Sequence, residues 1–132
     1  MAVKRTTIAK PKPLSERQEQ TIVIGWIAAQ FPWLINHTIY IMNEKRCSVH
    51  VGAMLNKQGR LPGASDLFIA YPTKDYTGLF IEMKSLKGKP TPAQLCFIDR
   101  MNRVGYYACV CYGAEQAIET IKNYLSETLL KK

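Results

Sequence analysis

Apolar and polar positions along the chain change period several times, and each change predicts an element. Gln20, Ile24, Ile27 and Phe31 recur at helical spacing, predicting a helix from Ser15 to about Gln30 with that stripe inward. Ser15 is a good N-cap ahead of Glu-Arg-Gln, and Pro32 stops the helix. His37–Glu44, through Thr38, Ile39, Tyr40 and Ile41, reads as a strand. Arg46–Lys57 reads as a helix with Val49, Ala53 and Met54 apolar, ended by Gln58-Gly59. Leu67–Tyr71 and Leu79–Lys84 are short apolar runs joined by a turn at Pro72–Gly78, which predicts a pair of strands. Thr91-Pro92 opens another helix, whose faces are marked by Gln94, Phe97, Ile98 and Met101 and whose C-cap is Gly105. Tyr106–Tyr112 is almost continuously apolar and predicts an interior strand. Ala114–Leu125 closes the chain as a helix with Ile118, Ile121, Tyr124 and Leu125 inward.

The order α-β-α-β-β-α-β-α places the chain in the α/β class, with a sheet of about four strands covered by helices. The last β-α-β passage predicts two parallel strands with a right-handed crossover. At 132 residues the chain holds one domain, expected over 14–130. Residues 1–13, with Lys4, Arg5, Lys10, Lys12 and two prolines, are expected to form a flexible basic arm.

Charge narrows the list of partners. Eighteen Lys and Arg against ten Asp and Glu leave a net +8, which favours a polyanion such as nucleic acid. No apolar run approaches the ~20 residues of a membrane span, so no membrane partner is expected. The N-terminal Met-Ala-Val-Lys-Arg-Thr-Thr lacks the apolar stretch of a signal peptide, giving the expectation of a cytoplasmic protein. Cys47, Cys96, Cys109 and Cys111 follow no metal-type spacing and read as small core residues. Cys109 and Cys111 share one face of a strand, too far apart for an unstrained disulfide. His37 and His50 have no metal-type partner nearby and read as structural or surface residues.

Candidate chemistry sits between Gly63 and Gln94. Asp66 opens one apolar strand, and Glu82 and Lys84 project from one face of the next. Glu82 lies among Phe80, Ile81 and Met83, where a charge is costly unless it is paired or metal-bound. Two carboxylates can hold Mg²⁺ or Mn²⁺, since such an ion keeps several waters. The Met83 carbonyl is a further candidate ligand, lying between Glu82 and Lys84. That arrangement suits phosphodiester hydrolysis, which needs an activated water and a neutralised phosphate. Lys84 is assigned an electrostatic role there. Lys45, Arg46, Lys57, Arg60, Lys87 and Lys89 cluster about this stretch in sequence and are candidate DNA contacts.

Gly63-Ala-Ser-Asp66, Glu82-Met-Lys84 and Gln94 together resemble the PD-(D/E)xK nuclease motif. More narrowly, the chain from about Ser15 to Tyr124 is similar to the VRR-Nuc (virus-type replication-repair nuclease) domain, in its small stand-alone phage and bacterial form. Asn43-Glu44, the Gly59 to Gly63 loop, Lys87-Gly88-Lys89, Gly105 and Ala117–Ile121 add to the resemblance. The family implies a restriction-endonuclease-like core with a mixed central sheet flanked by helices. It also implies Asp66 and Glu82 as metal ligands, Lys84 as a catalytic residue and Gln94 as a support for the site. A first-helix glutamate near the metal is implied too; Glu16 is favoured and Glu19 remains open. Ser65 stands where the family's usual residue is proline. Stand-alone members resemble Holliday-junction resolvases, which act as homodimers on branched DNA.

The resulting expectation is a Mg²⁺- or Mn²⁺-dependent endodeoxyribonuclease of the bacterial or phage-infected cytoplasm, dimeric and selective for branched DNA. A non-catalytic basic nucleic-acid-binding module on the same fold is the alternative. A sequence-reading enzyme of the restriction or nickase type would need recognition elements for which 132 residues leave little room.

Overall fold

The computed structural model describes residues 12–43 and 48–130. Most of the expected arm, together with Glu44, Lys45, Arg46 and Cys47, lies outside the described residues. Helix α1 (Glu16–Gln30) starts on a capping box in which Ser15 and Gln18 satisfy each other's backbone amides. A 3₁₀ turn (Pro32–His37) leads to β1 (Thr38–Tyr40). Then follow α2 (Val49–Lys57), β2 (Leu67–Ile69), β3 (Leu79–Lys84), α3 (Pro92–Arg103), β4 (Tyr107–Tyr112) and α4 (Ala114–Leu130).

The four strands form one mixed sheet in the order β1-β2-β3-β4. The pairs β1–β2 and β2–β3 are antiparallel, and β3–β4 is parallel. Burial alternates across the sheet because strand side chains alternate. Leu67, Ile69, Leu79, Ile81 and Met83 face Val23 and Ile27 of α1 and Ala117, Ile121 and Leu125 of α4 in one core. Phe80, Phe97, Ala64 and Ala108 form a second core on the α3 side. There Phe80 stacks on Phe68 at 4.3 Å and meets Phe97 edge-on at 5.1 Å. Strand β3 is covered on both faces and paired on both edges, so all six of its residues are buried.

Several boundaries differ from the sequence expectation. The strand expected over His37–Glu44 shrinks to Thr38–Tyr40: the 3₁₀ turn begun at Pro32 takes His37, and residues 41–43 carry no strand although Ile41 still donates its N–H to the Asp66 carbonyl. His37 itself lies 3.2 Å from the Ala70 carbonyl through Nδ1. Helix α2 begins at Val49 on the Ser48 cap, and β2 ends at Ile69, short of Tyr71. The inward residues of α1 are Val23 and Ile27, with Ile24 and Phe31 only partly buried against them. Helix α4 runs on to Leu130 and buries Ala117, with Ile118 half-buried. Cys111 is buried and Cys109 half-buried, but Cys96 is exposed on α3 and is no core residue.

The largest difference is at β4. Its apolar run predicts an interior strand, yet it occupies a sheet edge. Asn102 covers that edge in place of a further strand. Its side chain donates to the Ala108 carbonyl at 3.0 Å and accepts the Ala108 N–H at 2.9 Å. One amide thus satisfies both backbone groups of an edge residue, which protects the edge from pairing elsewhere.

Candidate active site

The site forms where β2 and β3 meet the start of α3. Register pairs Leu67 with Ile81. Continued by one residue, it sets Asp66 against Glu82 on the α3 face. Asp66 Oδ2 accepts the Met83 N–H at 2.8 Å, which holds its carboxylate against the Glu82–Met83 peptide. A strand residue turns its N–H and C=O toward the same neighbour, so the Met83 carbonyl also points to the Asp66 side.

Two local features bring α3 onto this corner. Thr91 caps the helix, and its N–H donates at 2.8 Å to Gln94 Oε1 while its hydroxyl accepts the Gln94 N–H. Gly63 lies against α3 with φ +85°, and a Cβ there would meet the Ala93 backbone at 2.5 Å. Only glycine allows both that conformation and that approach. The loop carrying Asp66 is therefore pressed onto the residue preceding Gln94.

The capping box also decides what Gln94 does. Its amide oxygen is spent on Thr91, so its NH₂ is free to donate. It does so to Glu82 Oε1 at 2.7 Å, between two buried side chains. Lys84 Nζ lies 3.6 Å from the same oxygen. Glu82 is wholly buried and Lys84 only 3 % exposed, in a strand otherwise made of Leu79, Phe80, Ile81 and Met83. A lysine–carboxylate pair removed from water is costly, and apolar side chains of similar size would stabilise the fold at least as well. The pair is poorly explained by stability.

The first-turn glutamates of α1 take separate tasks. Glu16 Oε1 is 3.9 Å from Lys84 Nζ, so the lysine stands between Glu16 and Glu82. Glu19 Oε2 accepts the Ala114 N–H at 2.7 Å and so caps the start of α4. That contact spans 95 residues and has no signature in the sequence. Ser65, which stands where the family's usual residue is proline, is fully buried beside Asp66.

Among the described residues no group of three His, Cys, Asp or Glu side chains forms a ready metal cage, and Glu16 reaches the corner beside Lys84. What the corner offers is two carboxylates and a backbone carbonyl. This is a hard-oxygen set that fits Mg²⁺ or Mn²⁺, which retain waters, and is unsuited to a fully protein-ligated ion.

The candidate DNA contacts are scattered. Lys87 and Lys89 are exposed on the connection from β3 to α3, and Lys57 is exposed at the end of α2. Arg60 is turned back onto α2, donating to Asn56 Oδ1 at 3.0 Å and the Gly52 carbonyl at 3.3 Å. Lys45 and Arg46 lie outside the described residues. No helix among the described residues is long and apolar enough to cross a membrane.

Known proteins share this fold. No curated protein matches the sequence closely enough to count. A solved structure described as a VRR_NUC domain protein superposes with a TM-score of 0.78 at 28% identity, over 88% of this chain and 92% of that one. The family model of the VRR-NUC domain matches residues 14–115, most of the chain and all of the corner just described. The chain belongs to the VRR-NUC family of nuclease domains.

Proposed function

We propose that this chain is a Mg²⁺- or Mn²⁺-dependent endodeoxyribonuclease that hydrolyses phosphodiester bonds in branched DNA, with Asp66, Glu82, Lys84 and Gln94 as its working residues. The observation that carries the reading is the buried Gln94–Glu82–Lys84 arrangement on an otherwise apolar strand. The side chains of Asp66 and Glu82, with the Met83 carbonyl, would hold the cation. When bound, such an ion supplies a polarised water and neutralises phosphate charge. Gln94 fixes Glu82 through Oε1, with its own orientation set by Thr91. Lys84 carries its positive charge beside Glu82 and stabilises negative charge as it develops on the phosphate. We assign Glu16 to holding Lys84 from the opposite side.

Net charge +8 and the exposed Lys57, Lys87 and Lys89 support a DNA substrate. A homodimer would bring two such corners to the two sides of a symmetric junction. The exposed Ile39, Tyr40 and Met42, at the β1 edge of the sheet, are the surface we assign to that assembly. A sedimentation experiment with Ile39→Lys tests it: a shift toward monomer supports the assignment, and an unchanged oligomer removes it. A cytoplasmic location follows from this reading.

The deciding experiment is cleavage of labelled four-way junction, flap and linear duplex with Mg²⁺, Mn²⁺ or EDTA, beside Glu82→Ala. Metal-dependent cutting of a branched substrate that the variant lacks supports the proposal. Salt-sensitive binding without cutting under either metal would overturn it in favour of a binding module.

A further inference from the structure

At the end of the sheet away from Glu82 lies a cavity of about 210 Å³, lined by Tyr76, Tyr107, Tyr124, Asp75 and several hydroxyls. Tyr107 pairs with Leu79 and Tyr112 with Lys84, five residues further along β4. Leu79 is three residues from Glu82 and five from Lys84 along β3, so the Tyr107 end of the cavity is about 10–16 Å from the proposed catalytic residues along the sheet, at ~3.3 Å per strand residue. Nothing in the mechanism above uses it.

Its walls have a consistent chemistry. Tyr76 meets Tyr107 at 5.2 Å and 81°, and Tyr124 at 6.2 Å and 33°. A nucleobase stacks between parallel rings with room for its own thickness, and tilted rings this close leave no such slot. Convergent, mutually inclined rings are instead how proteins surround an ammonium group. Asp75 is the charged side chain of the lining, and among the described residues it makes no ion pair. No lysine or arginine lines the cavity.

The hydroxyls point the same way. Tyr124 donates its proton to the Tyr71 carbonyl at 2.6 Å, Thr120 to the Gln116 carbonyl at 2.8 Å and Ser126 to the Asn123 carbonyl at 2.7 Å. A hydroxyl has one proton, so each of these oxygens offers lone pairs, with Tyr124 already bonded to Thr73 and Thr120 lying 3.5 Å from Cys111 Sγ. Burial raises the Tyr107 and Tyr124 phenols above their ordinary range. The aromatic rings and the single carboxylate complement a group that is cationic and donates, and the Thr73 and Asn123 side chains add polar partners beside them. A primary ammonium is such a group.

We propose that this cavity binds a primary alkylammonium group, with Asp75 as its counter-ion and Tyr76, Tyr107 and Tyr124 as its walls. A free polyamine and the side chain of a lysine on another protein share that chemistry. Titration of the protein, carrying ¹³C-labelled tyrosine, with spermidine and with N-acetyl-lysine amide separates them. Tetramethylammonium serves as a cation without donors. The expected result is saturable movement of the Tyr76, Tyr107 and Tyr124 ring signals with one or both primary amines, and weaker movement with tetramethylammonium. Asp75→Asn should weaken binding about tenfold and Tyr76→Leu should abolish it, both with the melting temperature of the parent. Both residues are exposed enough to be replaced without opening a core. Absence of saturable shifts with every amine would overturn the proposal. So would shifts that survive both variants, or tyrosine signals that answer only to protein concentration, which would mark a surface closed by self-association.

Discussion

Gln94 Nε2 donates to Glu82 Oε1 at 2.7 Å, and both side chains are buried. Because Thr91 engages the Gln94 oxygen, the glutamine has only donors to offer, and Glu82 must receive one. Glutamine at position 82 would keep one acceptor oxygen for Gln94 but lose the second carboxylate oxygen and the negative charge beside Lys84. Glu82→Gln and Lys84→Ala should therefore each reduce cleavage about 100-fold or more. Gln94→Ala should act through Glu82 and cost about 10–100-fold, with more metal needed for half-maximal rate. Single-turnover cleavage at several Mg²⁺ concentrations checks all three; a Gln94→Ala enzyme with unchanged metal dependence would leave Gln94 with a capping role alone.

The first-turn glutamates should separate cleanly. Glu19→Ala removes the acceptor for the Ala114 N–H and should cost about 1 kcal/mol of stability. Its effect on the rate of the folded enzyme should be small. Glu16→Ala loosens Lys84 and should lower the rate while the urea midpoint stays within error. A parallel urea titration and cleavage assay would read both, and the reversed pattern would exchange the two assignments.

That separation also marks how far the sequence reaches. The Ser15 cap, the six-residue run Leu79–Lys84 and the Thr91-Pro92 opening of α3 were legible because they are local patterns. Asp66, Glu82 and Lys84 were legible as candidates from strand alternation and the cost of a charge among apolar residues, and Gln94 joined them only through the family resemblance. Position in the sheet was not legible: Tyr107–Tyr112 is apolar enough for an interior strand, yet Asn102 and the flanking helices cover it at an edge. The choice between Glu16 and Glu19 was hidden as well. It depends on where the start of α4 lies, a contact between distant parts of the chain that no periodicity records.

Gly63 should tolerate no side chain. Alanine there would carry φ +85° and set its Cβ 2.5 Å from the carbonyl carbon and oxygen of Ala93. Strain and clash together should cost about 3 kcal/mol or more. The loop must move away from α3 to relieve them, which would draw Asp66 from the residue next to Gln94. Gly63→Ala is expected to lower both the urea midpoint and the rate of whatever protein remains folded.

Asn102 stands in for a missing strand, and its removal should show it. Asn102→Ala leaves the N–H and C=O of Ala108 without their side-chain partner, at a cost of about 1–3 kcal/mol. Asn102→Asp keeps the acceptor and loses the donor, so it should fall between alanine and the parent. Hydrogen exchange at the Ala108 amide is the direct measure: it should speed up in the alanine variant and stay slow in the aspartate one.

Alkaline stability should depend on Tyr124. Burial raises its phenol from 10.0 to about 12, offset in part by a hydrogen bond with Thr73. Ionisation would also break the bond it donates to the Tyr71 carbonyl. A folded-state value above the unfolded one means that the native chain holds this proton longer. Stability from the neutral phenol is then fully present below pH 10.0 and declines as pH rises through about 12. Tyr124→Phe keeps the ring and loses the titration. The stability difference between parent and variant should be constant at neutral pH and should shift against the parent across that window. Urea midpoints measured over a pH series give this difference directly. A difference that stays flat to the alkaline limit would mean that the phenol titrates alike in the folded and unfolded chains.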